Sequence, residues 1–309
     1  MKNTFAKVRP FLTAAIALAA VTAFSRPALA QLNVVTSTTD LADIAKSVGG
    51  AHVNVKHIGE GYQDPHFVEA KPSFVLQLRN ADVWAFVGLD LEIGWMPLLL
   101  DGARNPKIRL GGSGYLDVSS VIPVLDRPSG NVDRSQGDVH PLGNPHYWLD
   151  PDNGKRIAHL FQTKFSQLDP GNSAAYQSNE RAFDAKLDAA MRALVPALAK
   201  IKDQPVVAWH TSWRYFAEYT HMNIVGFMEP KPGVPPSPSH LAGLIQTMRR
   251  TNAKVIVMEP FYDRKTADFV ASRTGAKVLI LPPSVGGIRS VNDYIGLLTY
   301  DITQLASTF

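Results

Sequence analysis

Residues 172–200, NSAAYQSNERAFDAKLDAAMRALVPALAK, form the longest helical pattern in this sequence. Their apolar residues recur at spacings of three, four or seven positions, which places them on one face of a helix. At 1.5 Å per residue this helix would be about 43 Å long, and Pro196 is expected to kink it or to end its regular part. The apolar face consists of Tyr176, Phe183, Leu187, Ala190, Leu194 and Leu198, continued by Ile201.

Strand-like and helix-like segments alternate on both sides of this helix. Such alternation is typical of a parallel sheet with helices on both faces. The predicted fold class is therefore α/β, with two doubly wound α/β lobes joined by one long rigid α-helix. The predicted strands are 32–38, 52–58, 83–87, 205–209, 223–228, 254–258 and 277–281, and the predicted helices are 39–48, 71–80, 91–100, 152–168, 212–219, 239–250, 264–274 and 291–305.

The same pattern predicts the domain organisation. We expect an N-terminal lobe at 31–170, a connecting helix at 171–202 and a C-terminal lobe at 203–309. Residues 111–145 contain Gly- and Pro-rich polar stretches and are predicted to form a surface loop. Ligands of open α/β sheets bind beyond the carboxyl ends of the strands, so a ligand site is expected in the cleft between the lobes.

Residues 1–30 have the organisation of a secretory signal peptide. A basic segment, MKNTFAKVRP, is followed by an apolar stretch from Phe11 to Phe24 and by the small-x-small pattern Ala28-Leu29-Ala30. The apolar stretch is shorter than the roughly 20 residues that span a bilayer. We therefore predict cleavage after Ala30 and export to the periplasm.

The composition excludes several classes of protein. The chain has 309 residues, 45% of them hydrophobic, and no cysteine, so zinc ribbons, iron–sulfur clusters, thiol nucleophiles and cysteine-linked lipid anchors are not expected. The formal net charge of +4 comes from four basic residues within positions 1–30. The remaining 27 Lys and Arg equal the 27 Asp and Glu, which argues against a nucleic-acid partner.

Three of the nine histidines occupy positions suited to a ligand site. His66 lies between a predicted strand and a predicted helix, His146 directly precedes a helix, and His210 ends a strand. Such junctions face the cleft of a doubly wound lobe. We interpret His52, His57, His159 and His221, which lie within a strand or on helices, as structural residues.

Three imidazoles in a chain without cysteine favour a metal site. Neutral imidazole is a good ligand for zinc and also for copper, iron and nickel. A site with three histidines needs at least one more donor, either a carboxylate or water. The sequence therefore predicts a divalent-metal site built on His66, His146 and His210.

Four stretches of the chain resemble those of a known family, the periplasmic metal-binding receptors of zinc/manganese ABC importers (cluster A-I solute-binding proteins). They are Asp64-Pro-His66 with Lys71-Pro-Ser73, Asn144-Pro-His-Tyr-Trp-Leu-Asp-Pro151, Trp209-His210-Thr-Ser-Trp-Arg-Tyr-Phe216, and Glu229 with Pro236–Ser239 and Val255–Pro260. The resemblance covers essentially all of residues 31–309. It implies that His66, His146 and His210 bind Zn²⁺, or alternatively Mn²⁺, as transported ligand.

The fourth ligand differs from the family pattern. Relatives usually place an acidic residue after the last strand, where this sequence has Leu281-Pro282-Pro283-Ser284. We predict that Glu259, at the end of strand 254–258, replaces it, with Glu229 or water as alternatives. Zinc-specific relatives also often carry a His-rich loop, whereas residues 119–143 hold only His140.

The leading functional hypothesis is a monomeric periplasmic binding protein that delivers the metal to an ABC permease in the inner membrane, without enzymatic activity. An alternative is a secreted zinc hydrolase with Glu259 as general base. The scattered ligands, the lack of a His-Glu-x-x-His helix and the lack of an identifiable oxyanion donor argue against it. A third hypothesis is a metal-dependent surface adhesin. Such a protein would need a membrane anchor, and this chain has no cysteine to carry a lipid.

Overall fold

The computed structural model describes residues 1, 31–130, 137 and 139–309. The predicted signal peptide therefore lies outside the described residues except for Met1. Residues Gln31–Phe309 form one compact unit. Its strands are β1 (Leu32–Thr36), β2 (Val53–His57), β3 (Val83–Phe86), β4 (Tyr115–Asp117), β5 (Pro205–Ala208), β6 (Asn223–Phe227), β7 (Val255–Met258) and β8 (Lys277–Ile280).

Ten α-helices accompany these strands in the described part of the chain. They are α1 (Thr39–Gly49), α2 (Pro72–Arg79), α3 (Met96–Ala103), α4 (Pro151–Leu168), α5 (Ser173–Ala193), α6 (Val195–Ile201), α7 (Arg214–Thr220), α8 (Pro238–Thr251), α9 (Arg264–Thr274) and α10 (Tyr294–Ala306).

The strands form two parallel sheets of four strands with the same internal order. The first sheet runs β2-β1-β3-β4 and the second β6-β5-β7-β8. In each sheet the first strand pairs on one side with the second and on the other with the third, as Val34 does with Val55 and Val83. The order reverses at that first strand, so each lobe has a topological switch point, where ligands bind in open α/β sheets. The predicted pair of α/β lobes is thus confirmed.

The connecting helix is divided by Leu194. α5 ends at Ala193 and α6 starts at Val195, with Pro196 in its first turn. Proline has no N–H for a helical hydrogen bond, and its ring clashes with the carbonyl four residues earlier. The expected break near Pro196 is confirmed, and the connecting helix consists of α5 and α6.

The described part of residues 111–145 contains regular structure that was not expected. The prediction of a surface loop missed β4 and a 3-10 turn at Val118–Val121. β4 has three residues and pairs only with β3, with Trp84 opposite Tyr115 and Phe86 opposite Asp117. A strand this short is too brief for an alternating pattern to identify it in the sequence.

One hydrophobic core extends through both lobes. It joins Val34 of β1 and Phe161 of α4 to Val206 of β5 and Leu297 of α10. Hydrogen bonds also cross from one half to the other: the Trp148 indole donates to the Pro283 carbonyl over 2.7 Å. The lobes therefore share buried apolar surface, which favours a fixed relative position.

α1 supplies two further links between the halves. The Thr39 hydroxyl donates to the Val285 carbonyl over 2.7 Å, and the Asp40 carboxylate accepts from the Val285 N–H over 2.9 Å. No helix in the described part of the chain is long and apolar enough to cross a bilayer.

Candidate metal centre

Three histidines from distant parts of the chain meet between the lobes. The ring nitrogens that His66, His146 and His210 offer lie within 4.8 Å of one another, and all three side chains are buried. Their ring centroids are 5.1 to 5.4 Å apart. The structure thus brings together the three residues that the sequence singled out. No other group of three or more metal-ligating side chains occurs among the described residues.

His66 lies in the loop between β2 and α2 and is held by Asp64. The Asp64 carboxylate accepts the His66 backbone N–H over 3.0 Å and lies 2.6 Å from its Nδ1. Burial alone would raise the pKa of Asp64, but its hydrogen bonds with His66 hold it below its usual value. An ionised carboxylate only accepts, so Nδ1 donates and Nε2 is left free for a metal.

His146 repeats this arrangement with an amide. The Asn144 Oδ1 accepts the His146 backbone N–H over 3.0 Å and lies 3.0 Å from Nδ1. The Asn144 amide nitrogen donates to Asp126 and to the Thr211 carbonyl, which fixes its orientation. Burial, followed by the neighbouring histidines, lowers the pKa of His146 well below its ordinary value, so its imidazole is neutral and able to bind a metal.

His210 lies two residues after β5 and is held by a residue that lies two residues after the neighbouring strand β6. The Glu229 Oε2, just beyond β6, lies 2.7 Å from His210 Nδ1. The same oxygen accepts the Gly233 N–H over 3.2 Å. Glu229 is predicted above as an alternative ligand. In the structure its carboxylate contacts Nδ1 of His210 and so orients the ring.

His140 is a fourth imidazole beside the group. Its Nε2 lies 3.1 Å from the Nε2 of His66, and its Nδ1 lies 3.1 Å from the Leu89 carbonyl. The sequence shows His140 as the one histidine of residues 119–143 but gives no reason to place it among the ligands. The available signal was its position four residues before the Asn144-Pro-His146 motif.

Glu259 does not join the three histidines in the structure. It follows β7, is fully buried, and has its pKa raised to about 8 by burial, an increase that the nearby Ser212 hydroxyl partly offsets. A carboxyl group with this pKa is protonated at neutral pH and is then a poor metal ligand. Glu259 as the fourth ligand therefore stays a prediction, and the group of three histidines in the structure does not include it.

Residues 281–284, where relatives usually have an acidic residue, make a hydrogen bond to Trp148 instead. The carbonyl of Pro283 accepts the hydrogen bond from the Trp148 indole. The Trp148 ring in turn lies 5.6 Å from the ring of His146. Residues 281–284 thus contribute no carboxylate to the site, and instead hold the tryptophan that lies beside His146.

A cavity of about 340 Å³ leads to one side of the group. It is lined by His66 and His210 and by their partners Asp64 and Glu229. The opposite walls are formed mainly by aromatic and proline side chains: Phe67, Trp209, Tyr262, Pro235 and Pro236. An ion held by the histidines can be reached from solvent through this cavity.

The chain is similar to known metal-uptake proteins. The family model of ZnuA, the periplasmic zinc-uptake complex component A, matches residues 34–308. The zinc-binding lipoprotein AdcA of Streptococcus pneumoniae serotype 4 is 23% identical over 283 residues, covering 90% of this chain. This chain matches only 56% of the length of AdcA.

Two further comparisons agree with this result. The manganese ABC transporter substrate-binding lipoprotein scaA of Streptococcus gordonii is 24% identical, with 89% of this chain and 88% of that protein covered. A crystal structure of ZnuA superimposes with a TM-score of 0.72 at 24% identity, covering 90% of this chain and 99% of that one. This structural similarity shows that the fold is shared.

Proposed function

This chain belongs to the family of the periplasmic zinc-uptake complex component A, and on that basis we propose that it is an extracytoplasmic receptor for a divalent metal ion, zinc in the first place. In this proposal the chain captures the ion and passes it to an ABC permease in the inner membrane. The names of AdcA and scaA, a zinc-binding and a manganese transporter lipoprotein, support a metal as the ligand.

The observation that carries the proposal is the common orientation of the imidazoles. The Nδ1 atoms of His66, His146 and His210 each face an oxygen acceptor, which leaves their Nε2 atoms as the positions that can bind one ion. Oxygen partners behind ligating histidines are the usual arrangement in metal sites. We propose these three residues as the protein ligands.

We infer that His140 supplies the fourth donor. Both His66 and His140 donate through Nδ1, to Asp64 and to the Leu89 carbonyl, so two lone pairs face each other across 3.1 Å. This contact is repulsive unless a cation or a proton lies between the nitrogens. Two nitrogens bound to one tetrahedral zinc lie about 3.4 Å apart, given bonds of about 2.0–2.1 Å.

A site of nitrogens favours zinc over manganese, which prefers oxygen ligands. The charges agree with a divalent ion, because the two carboxylates that hold the histidines, Asp64 and Glu229, balance a charge of +2. The protonated Glu259 adds none. The centre would therefore be electrically neutral when loaded, which reduces the free-energy cost of burying the ion.

The other hypotheses have less support. A hydrolase would need Glu259 as general base beside a metal-bound water, whereas Glu259 is fully buried and its pKa is raised to about 8. The relatives named above are binding proteins of transporters. An adhesin has no feature of the described residues in its favour. The lobe boundaries 31–170 and 203–309 and cleavage after Ala30 remain part of the proposal.

Zinc titration of purified chain 31–309 against a chromophoric chelator tests the proposal. We expect one high-affinity site, weakened at least about 100-fold by His66→Ala, His146→Ala or His210→Ala and about tenfold by His140→Ala, because each removes a nitrogen donor. His159→Ala is the matched control, since His159 is exposed and bonded to Glu180. An unchanged zinc affinity in His146→Ala would contradict the site assignment.

A further inference from the structure

An apolar groove lies on the outer surface of the N-terminal lobe, between α2 and α3. It has a volume of about 460 Å³ and is lined by Val75, Leu76, Leu98 and Leu99, together with Lys71 and Arg79. Leu76 is 56% exposed and Leu98 68% exposed. Neighbouring exposed leucines of this kind are typical of interaction surfaces.

The groove also has a net positive charge. No Asp or Glu lines it among the described residues. Within the part of the chain that the structure describes, Lys71 and Arg79 form no ion pair; the Lys71 ammonium lies 5.8 Å from the ring of Phe74. The acidic residue of α3, Asp101, is engaged with Arg109 over 3.1 Å. An apolar floor with two available cations complements an amphipathic segment with acidic residues.

Both helices of the groove start beside the candidate metal centre. α2 begins six residues after His66. Trp95, which directly precedes α3, is buried and donates its indole N–H to the Pro65 carbonyl over 3.1 Å. A ligand that presses α2 and α3 apart would therefore act on the residue before His66.

We propose that this groove is the surface on which the membrane permease docks, through an amphipathic segment with leucine-like residues facing Leu76 and Leu98 and with carboxylates facing Lys71 and Arg79. This inference rests on the proposed transport function and adds the place and chemistry of the contact. The link from Trp95 to Pro65 lets docking loosen the loop of His66 and so favour release of the ion.

Radioactive zinc uptake in a deletion strain of the source organism, complemented with full-length variants, tests the proposal. We expect Leu98→Glu and Arg79→Glu each to reduce uptake at least tenfold, while zinc affinity of the purified proteins is unchanged. The controls are Leu110→Glu and Arg250→Glu, which change exposed residues outside the groove. Normal uptake by both groove variants would overturn the docking site, and so would a parallel loss of zinc affinity.

A crosslinking measurement identifies the partner directly. Because the chain contains no cysteine, Leu98→Cys offers a single point for a thiol-linked photocrosslinker. In spheroplasts the expected adduct is the transmembrane permease subunit, identified by mass spectrometry and suppressed by Arg79→Glu. An adduct with another protein, or groove-dependent binding of the purified chain to anionic phospholipid vesicles, would overturn the proposal. If wild-type protein neither binds zinc nor restores uptake, the proposed function itself fails.

Discussion

Each imidazole of the candidate metal centre is oriented by a different acceptor. Carboxylates hold His66 and His210, whereas an amide, Asn144, holds His146. The amide form has a reason, because the Asn144 nitrogen also donates to Asp126 and to the Thr211 carbonyl, which a carboxylate cannot do. The Asn144 side chain therefore serves two donors and two acceptors without adding a third negative charge.

We predict that Asn144→Ala weakens zinc binding by about tenfold to 100-fold, the usual effect of losing a partner that orients a metal ligand. Chelator competition measures this directly. Asn172→Ala is the control, because it removes an amide that bonds to Asp169 outside the metal centre. Equal zinc affinity in both variants would mean that His146 is held by packing alone.

Glu259 should make the stability of the protein depend on pH. Its pKa is raised from 4.5 to about 8 by burial, so the folded chain keeps a proton that the unfolded chain loses. The stability that this proton contributes is complete below pH 4.5 and is lost progressively as the pH rises to 8. The free energy of unfolding should fall with a slope from this group of up to about 1.4 kcal/mol per pH unit in that range.

Glu259→Gln should remove this slope, because glutamine does not ionise. Urea unfolding of the metal-free proteins at pH 5, 6.5 and 8 should show the variant gaining stability relative to wild type as the pH rises. Zinc affinity of the variant should change little, since Glu259 lies outside the group of ligands. A large loss of zinc affinity would restore Glu259 as a ligand.

Among the elements, α10 supports the metal centre from outside it. Its first residue, Tyr294, is buried and donates its hydroxyl to the Trp148 carbonyl, two residues after His146. The contact joins the end of the chain to the Asn144–Pro151 segment. It holds the 3-10 turn at Tyr147–Leu149 between His146 and α4.

Tyr294→Phe should destabilise the protein by about 1–3 kcal/mol, because a buried carbonyl loses its donor. Chemical denaturation provides the measurement. Tyr300→Phe, on the same helix and half-buried, is the matched control and should change the free energy of unfolding little. Equal stability of the two variants would show that another donor replaces the hydroxyl of Tyr294.

At the scale of the whole molecule, the shared core and the bonds between the halves favour a rigid pair of lobes. Loading with metal should therefore act mainly on the loop that carries His140, within residues 119–143. We expect X-ray scattering curves of metal-free and zinc-loaded protein to be nearly superimposable. Hydrogen exchange at residues 139–146 should slow on zinc binding.

The same X-ray scattering measurement can show the opposite result, a closure of the lobes. A clear decrease in the radius of gyration on zinc binding would indicate that the lobes close on a hinge. His140→Ala offers the control for the local effect, because its loop should lose the protection from exchange while the scattering curves remain the same.

The sequence by itself determined the alternation of strands and helices, the break near Pro196 and the three histidines at junctions between elements. These features depend on local patterns: apolar periodicity, the missing proline N–H, and the short motifs around His66, His146 and His210. Local interactions decide them, so they can be recognised without knowledge of the distant parts of the chain.

The tertiary structure alone decided which side chains meet. His140 reaches His66 across 74 positions, and Glu229 reaches His210 across 19, because the strand order and the path of a loop bring them together. The same order leaves Glu259 fully buried and outside the group of three histidines, although its position at a strand end is as suitable as that of His210. Proximity of this kind is a property of the packed chain, since residues that are remote in sequence become neighbours only when the two sheets and their shared core are assembled.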